Sequence, residues 1–229
     1  MKNTIRKAVY SILTFLMDRE WLVYILATKQ EKELLGFKRD GYLNDIGWIN
    51  SMTTQSVIDK DGNTLPWVTY PFIRFIDEKL NHNLEVFEFG SGNSTLFYAA
   101  RVASVDSVEN DKFWFEKIRN TVPQNTRLFF CHLEYGGEYG NFASTTDKPY
   151  DMIIVDGRDR VNCCKKSIAA LKPGGVVVLD DSERTQYADG VDYLLQSGFK
   201  KIDFWGIAPM VNNHKSTTLF YRDNNCLGI

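Results

Sequence analysis

From about residue 66 onward the chain alternates short apolar runs with amphipathic stretches. Val86, Phe87 and Phe89 have the length and composition of a buried strand, and Thr95 to Ala100 predicts the helix after it. Ala103 to Glu109 predicts a second strand, Phe113 to Arg119 a helix, and Thr126 to Leu133 a third strand. Tyr150 to Val155 is a fourth, closed by Asp156. Cys163 to Leu171 predicts a helix ended by Lys172-Pro173-Gly174-Gly175, and Val176 to Leu179 a strand apolar enough to be covered on both faces. A helix from about Thr185 to Gln196 stops at Gly198. Lys200 to Ile207 and Ser216 to Arg222 close the series; their connection through Pro209, Asn212 and Asn213 is too short for a crossover helix, so they predict an antiparallel hairpin. Upstream, Phe72, Ile73, Phe75, Ile76 and Leu80 recur at helical spacing, with Pro71 placed for the first turn. The whole predicts an α/β fold: a doubly wound, mostly parallel seven-stranded sheet with a C-terminal antiparallel hairpin.

The first 65 residues read as a helical extension and connector, and residues 66–229 as the α/β domain. Ile5, Val9, Ile12 and Leu16 predict an amphipathic helix. Neither Ala8 to Met17 nor Trp21 to Ala27 approaches the ~20 residues that span a bilayer. No small-x-small cleavage site follows the first run. Two readings stay open for this helix: docking on the domain or a second subunit, and peripheral contact with a membrane surface. Gly36 to Asp61, rich in Gly, Asn, Asp, Ser and Thr, reads as an irregular connector, and Asp59-Lys60-Asp61-Gly62-Asn63 as a turn.

Composition narrows the function classes. A chain of 229 residues can bury a substantial core, and a net charge of −2 offers no general basic surface for nucleic acid. Cys131, Cys163, Cys164 and Cys226 have no metal-ligand spacing, and the adjacent pair cannot frame a disulfide scaffold, so the thiols read as reduced and the protein as cytoplasmic.

The chemistry gathers at Leu84 to Thr95. Gly90 and Gly92 lie between a strand and a helix N-terminus, where a ligand can approach the backbone closely. A dinucleotide fingerprint would need glycine where Thr95 stands, which weighs against a nicotinamide oxidoreductase. Glu88 closes the strand two residues before the first glycine, and Glu109 closes the next strand about twenty residues later. That is the interval at which a carboxylate accepts from ribose hydroxyls. Glu88-Phe-Gly-Ser-Gly-Asn-Ser, Val108-Glu109, Tyr150-Asp-Met-Ile-Ile-Val-Asp156 and Leu171-Lys-Pro-Gly-Gly175 together resemble the class I S-adenosylmethionine-dependent methyltransferases, a Rossmann-like superfamily. The resemblance covers roughly Pro66 to Arg222. It implies S-adenosylmethionine as cofactor, with Glu88, Gly90, Ser91, Gly92, Asn93 and Ser94 around the methionine part, Glu109 on the ribose and Asp156 near the sulfonium. Ser94 departs from it by replacing a third glycine.

Methyl transfer requires alignment of acceptor and methyl, and an alcohol acceptor must also lose a proton. Asp156 and His132 are the candidates for that base; His82 and His214 read as surface residues. Asp156 with Asp180 and Asp181 also resembles the magnesium site of catechol-type O-methyltransferases, with Asp181 where an asparagine would be. A divalent cation is the less favoured version because that position departs from the pattern. The expected partner is a small-molecule or glycan/lipid-precursor hydroxyl. A non-catalytic binding or assembly module of the same fold is the remaining alternative.

Overall fold

The computed structural model describes residues 27–229. The amphipathic helix expected at Ile5 to Leu16, with its docking and membrane readings, lies outside the described residues. Among the described residues no helix is long and apolar enough to cross a membrane.

The sheet has seven strands in the order β3-β2-β1-β4-β5-β7-β6. They are β1 (Glu85–Phe89), β2 (Ser104–Glu109), β3 (Thr126–Phe130), β4 (Tyr150–Val155), β5 (Leu171–Asp180), β6 (Lys200–Ala208) and β7 (Val211–Tyr221). β1 to β5 pair in parallel, and β7 runs antiparallel to both β5 and β6. The expected doubly wound sheet with a reversed strand is therefore the observed one. Strand alternation sends Val86 to one face and Phe87 and Phe89 to the other.

Three helices open the described chain, α1 (Lys29–Arg39), α2 (Tyr42–Asp45) and α3 (Trp48–Thr54). α4 (Tyr70–Asp77), with Pro71 in its first turn, and α5 (Asn93–Ala99) supply Phe72, Ile76, Phe97 and Tyr98 to one face of the sheet. α6 (Lys112–Ile118) follows β2 and packs on β2 and β3. α7 (Glu138–Asn141), α8 (Arg160–Ser167) and α9 (Ala188–Gln196) lie on the other face, where Tyr139, Cys163, Cys164 and Leu194 are buried. The four cysteines are free.

Three local expectations are corrected. The connector from Gly36 to Asp61 is largely helical: α1 ends within it and α2 and α3 fill much of the rest. The stretch folds this way because three of its apolar residues, Ile46, Trp48 and Val57, pack on the core. β5 starts at Leu171, so Lys172-Pro173-Gly174-Gly175 belongs to the strand rather than ending a helix. Gly174, at φ +78°, absorbs the irregularity that sets Tyr150 opposite Leu171 but Met152 opposite Val176. Asn212 and Asn213 lie within β7, and the hairpin turns tightly at Pro209 and Met210. The Asp59 turn stands as expected, with Asp59 Oδ1 accepting from the backbone N–H of Asp61 and Asn63 at 2.8 Å each.

Gly47 presses on that turn. It has φ +81°, and a Cβ there would stand 2.5 Å from the Asp59 carbonyl carbon. Gly47→Ala is expected to destabilise the fold by about 2–4 kcal/mol through backbone strain and overpacking. A urea unfolding curve should show a lower midpoint with an unchanged slope.

Candidate functional site

The glycine turn joins β1 to α5 at the carboxyl edge of the sheet. Gly90 has φ +90°, and its Cβ, were there one, would lie 3.1 Å from Gly157 Cα in the loop after β4. The turn is held mainly at Ser91. Glu109 Oε2 accepts from the Ser91 N–H at 3.2 Å and its hydroxyl at 2.9 Å, while Glu109 Oε1 accepts from the N–H groups of Asn110 and Asp111 at 2.8 Å. From the other side, Trp114 Nε1 donates to the Ser91 carbonyl at 2.8 Å. Ser107 Oγ donates to the Gly90 carbonyl at 2.8 Å.

Glu88 lies beneath the turn rather than on its surface, 1% exposed. It sits on the face that α4 and α5 cover because it alternates with Phe87 and Phe89. Thr95 Oγ1 donates to Glu88 Oε2 at 2.6 Å and accepts from the Gly92 N–H at 3.0 Å, so the carboxyl group holds the turn through Thr95. Burial pushes the Glu88 carboxyl up to about 7 against hydrogen bonds from Ser94 and Thr95. The residue that breaks the dinucleotide fingerprint is thus the one that fastens the turn to its acid.

One strand along, Asp156 follows β4, and Asp180 and Asp181 end β5. Asp180 and Asp181 are almost completely buried, and what offsets their charge is basic residues of the chain. Lys215 Nζ lies 2.6 Å from Asp180 Oδ2 and 2.8 Å from Asp181 Oδ1. The Arg160 guanidinium reaches Asp156 Oδ1 at 3.0 Å, Asp181 Oδ2 at 3.2 Å and the Asp180 carbonyl at 2.6 Å. Thr217 Oγ1 donates to Asp180 Oδ1 at 2.7 Å. Burial alone would discharge Lys215, but Asp180 and Asp181 outweigh it and raise its pKa. Burial, and then repulsion from Asp180, push the Asp156 carboxyl well above the usual carboxylate range despite Arg160. Asp156 Oδ2 has no hydrogen-bond partner among the described residues, and the side chain is 20% exposed.

His132 is placed elsewhere. It is exposed, on the loop after β3 at the outer edge of the sheet, with β2 and β1 between that strand and β4. Three strand spacings separate β3 from β4, roughly 14 Å. His82 is exposed, and His214 stacks on Trp205 with ring centroids 4.7 Å apart. Sequence reasoning missed Arg160, Lys215 and Trp114. Arg160 carried a signal, since it stands four residues after Asp156; Lys215 carried none, because β7 brings it 35 residues back to Asp180. No group of His, Cys, Asp and Glu arranged to hold a metal occurs among the described residues.

No protein-family model matches the chain, and no curated protein matches it. Solved structures do. The precorrin-6y C5,15-methyltransferase from Geobacter metallireducens superposes with a TM-score of 0.53 at 13% identity, over 66% of this chain and 88% of that one. The O-methyltransferase TomG from Streptomyces achromogenes, in complex with SAM, gives 0.51 at 14%, over 65% and 77%. The precorrin 8w decarboxylase from Methanobacterium thermoautotrophicum gives 0.50 at 15%, over 74% and 97%. The chain has the class I methyltransferase fold. In such open α/β sheets ligands bind at the carboxyl ends of the strands. The glycine turn, Glu109, Asp156 and Asp180 all lie on that edge of the methyltransferase fold here.

Glu88 gives this arrangement a pH signature. Its folded pKa of about 7 exceeds its ordinary 4.5, so the folded state holds the proton more tightly. Its contribution to stability is then intact below pH 4.5, falls as pH rises through that window, and is lost above about 7. Glu88→Gln keeps an acceptor for Thr95 without the charge. Relative to wild type it should gain up to about 3 kcal/mol between pH 4.5 and 8, read from urea midpoints across that range.

Proposed function

We propose that the protein is an S-adenosylmethionine-dependent methyltransferase acting on a hydroxyl of a small molecule or a glycan or lipid precursor. One observation carries the reading: a glycine turn clamped at Ser91 by Glu109 lies beside Asp156 on the adjoining strand, partly exposed and with Oδ2 unpartnered among the described residues. The turn suits a ligand pressed against the backbone, because a side chain at Gly90 would fill the gap to Gly157.

S-adenosylmethionine, when bound, supplies a methyl group already activated on a sulfonium. Gly90, Ser91, Gly92, Asn93 and Ser94 are the residues that would border its methionine part, with Glu88 holding them from below through Thr95. Glu109 would take the ribose hydroxyls, giving up its bond to the Ser91 hydroxyl while keeping those to the backbone of Asn110 and Asp111. Asp156 Oδ2 accepts the acceptor's proton, a role His132 cannot share from the outer edge of the sheet. Arg160 fixes the other oxygen of Asp156 and so aims the free one. Lys215 and Thr217 engage the two carboxylate oxygens of Asp180, and Arg160 engages Asp181 Oδ2, so the chain's own groups take the place a catechol-type divalent cation would fill.

Calorimetry with S-adenosylhomocysteine should show one site per chain and no comparable binding of NAD. Glu109→Ala should weaken that binding by about 1–3 kcal/mol, the worth of hydrogen bonds to a charged group. With labelled S-adenosylmethionine and cell extract as acceptor source, Asp156→Asn should lower product formation by roughly 10²–10⁴ fold while leaving S-adenosylhomocysteine affinity near wild type. A chelator should leave turnover unchanged. Failure of S-adenosylhomocysteine to bind would remove the whole reading.

A further inference from the structure

The segment between α2 and α4 is fastened at two points of the carboxyl edge, after β1 and at the start of β7. Asn93 Nδ2, on the first turn of α5 directly after the glycine turn, donates to the Val57 carbonyl at 2.9 Å. At the far side, Trp48 Nε1 donates to the Val211 carbonyl at 2.9 Å, where the β6–β7 hairpin reaches the same edge. Between these anchors the segment is tied to itself. Asn50 Nδ2 donates to the Asp59 carbonyl at 2.8 Å, and Ser51, fully buried, donates to the Ser56 carbonyl at 2.6 Å. The result is a stiff wall from Gly47 to Leu65, and its anchors lie beyond either side of β4 and β5, whose ends carry Asp156 and Asp180.

The chain that follows the wall reaches the end of β5. Thr69, which precedes α4, donates its N–H to Thr217 Oγ1 at 3.0 Å, and that hydroxyl donates to Asp180. The next residue, Tyr70, is 5% exposed, and its hydroxyl is buried without a hydrogen-bond partner among the described residues. Burial, and then the nearby Tyr42 and Asp59, raise its pKa, so this neutral phenol faces the wall with an unspent donor.

Resting on the methyltransferase reading, we infer that Asn93 is a positioning residue that ties the acceptor-side wall, Gly47 to Leu65, to the cofactor turn. Asn93 spends its side-chain donor on the wall, which leaves its backbone to border the cofactor. A ligand that stiffens Gly90 to Gly92 therefore stiffens Val57 through one covalent step and one hydrogen bond. Cofactor binding thereby prepares the surface that an acceptor meets.

The test is hydrogen–deuterium exchange on the full chain with and without saturating S-adenosylhomocysteine, followed by mass spectrometry of peptides covering residues 47–65. Wild type should exchange roughly fivefold more slowly in this segment when the ligand is present, the weight of about one hydrogen bond on a local opening. Asn93→Asp, which keeps the shape and removes the donor, should lose that protection when compared at a ligand concentration that saturates the variant, and Asn93→Gln should recover part of it. Bound ligand with unchanged exchange over residues 47–65 in wild type overturns the coupling and leaves the methyltransferase reading standing. Full protection in Asn93→Asp removes Asn93 from it. No ligand binding by wild type overturns both.

Discussion

The carboxyl edge of this sheet is held together by one electrostatic constraint: the buried aspartates at the end of β5 must be neutralised. Asp180 and Asp181 are nearly inaccessible, and isolated carboxylates there would cost several kcal/mol each. Lys215 and Arg160 offset that cost, and they come from different parts of the chain, β7 and α8. Because the pairing needs both, it fixes the reversed strand, the first turn of α8 and the loop after β4 relative to one another. Asp156 is left with one oxygen held by Arg160 and one without a partner. Its chemistry is therefore a by-product of how its neighbours are satisfied.

The glycine turn depends on a second carboxylate arrangement with the opposite character. Glu109 accepts four hydrogen bonds from the chain, two from Ser91 and one each from Asn110 and Asp111. Glu88, with no cation near it, is pushed towards the neutral form by burial. One acid thus clamps the turn from its open side and the other supports it from beneath, through Thr95. Trp114 closes the remaining side by donating to the Ser91 carbonyl. Glycine is required at Gly90 both for the left-handed backbone and for the approach of Gly157.

These two arrangements meet through the segment before α4. Thr69 and Thr217 connect the start of α4 to Asp180, and Asn93 connects the glycine turn to Val57. A stretch outside the alternating strand and helix core is therefore part of the same edge. Its helices are short and its composition polar, yet Ile46, Trp48 and Val57 anchor it on the core.

The sequence by itself determined the strands and their order of appearance, because buried parallel strands are short apolar runs with glycine or acid at their ends. It also marked Gly90, Gly92, Glu109 and Asp156, since each stands at a strand end, where position along the chain predicts position on the ligand edge. It could not show that Gly36 to Asp61 is helical, because the energy there comes from three apolar residues docking on a distant core rather than from local periodicity. Nor could it show that Lys172 to Gly175 continues a strand, since a register irregularity depends on the partner strand. Only the tertiary structure decided which groups neutralise Asp180 and Asp181, and that Glu88 lies under the turn while His132 stands apart. Charge pairing acts through space, and Lys215 reaches Asp180 only because an antiparallel strand inserts between β5 and β6.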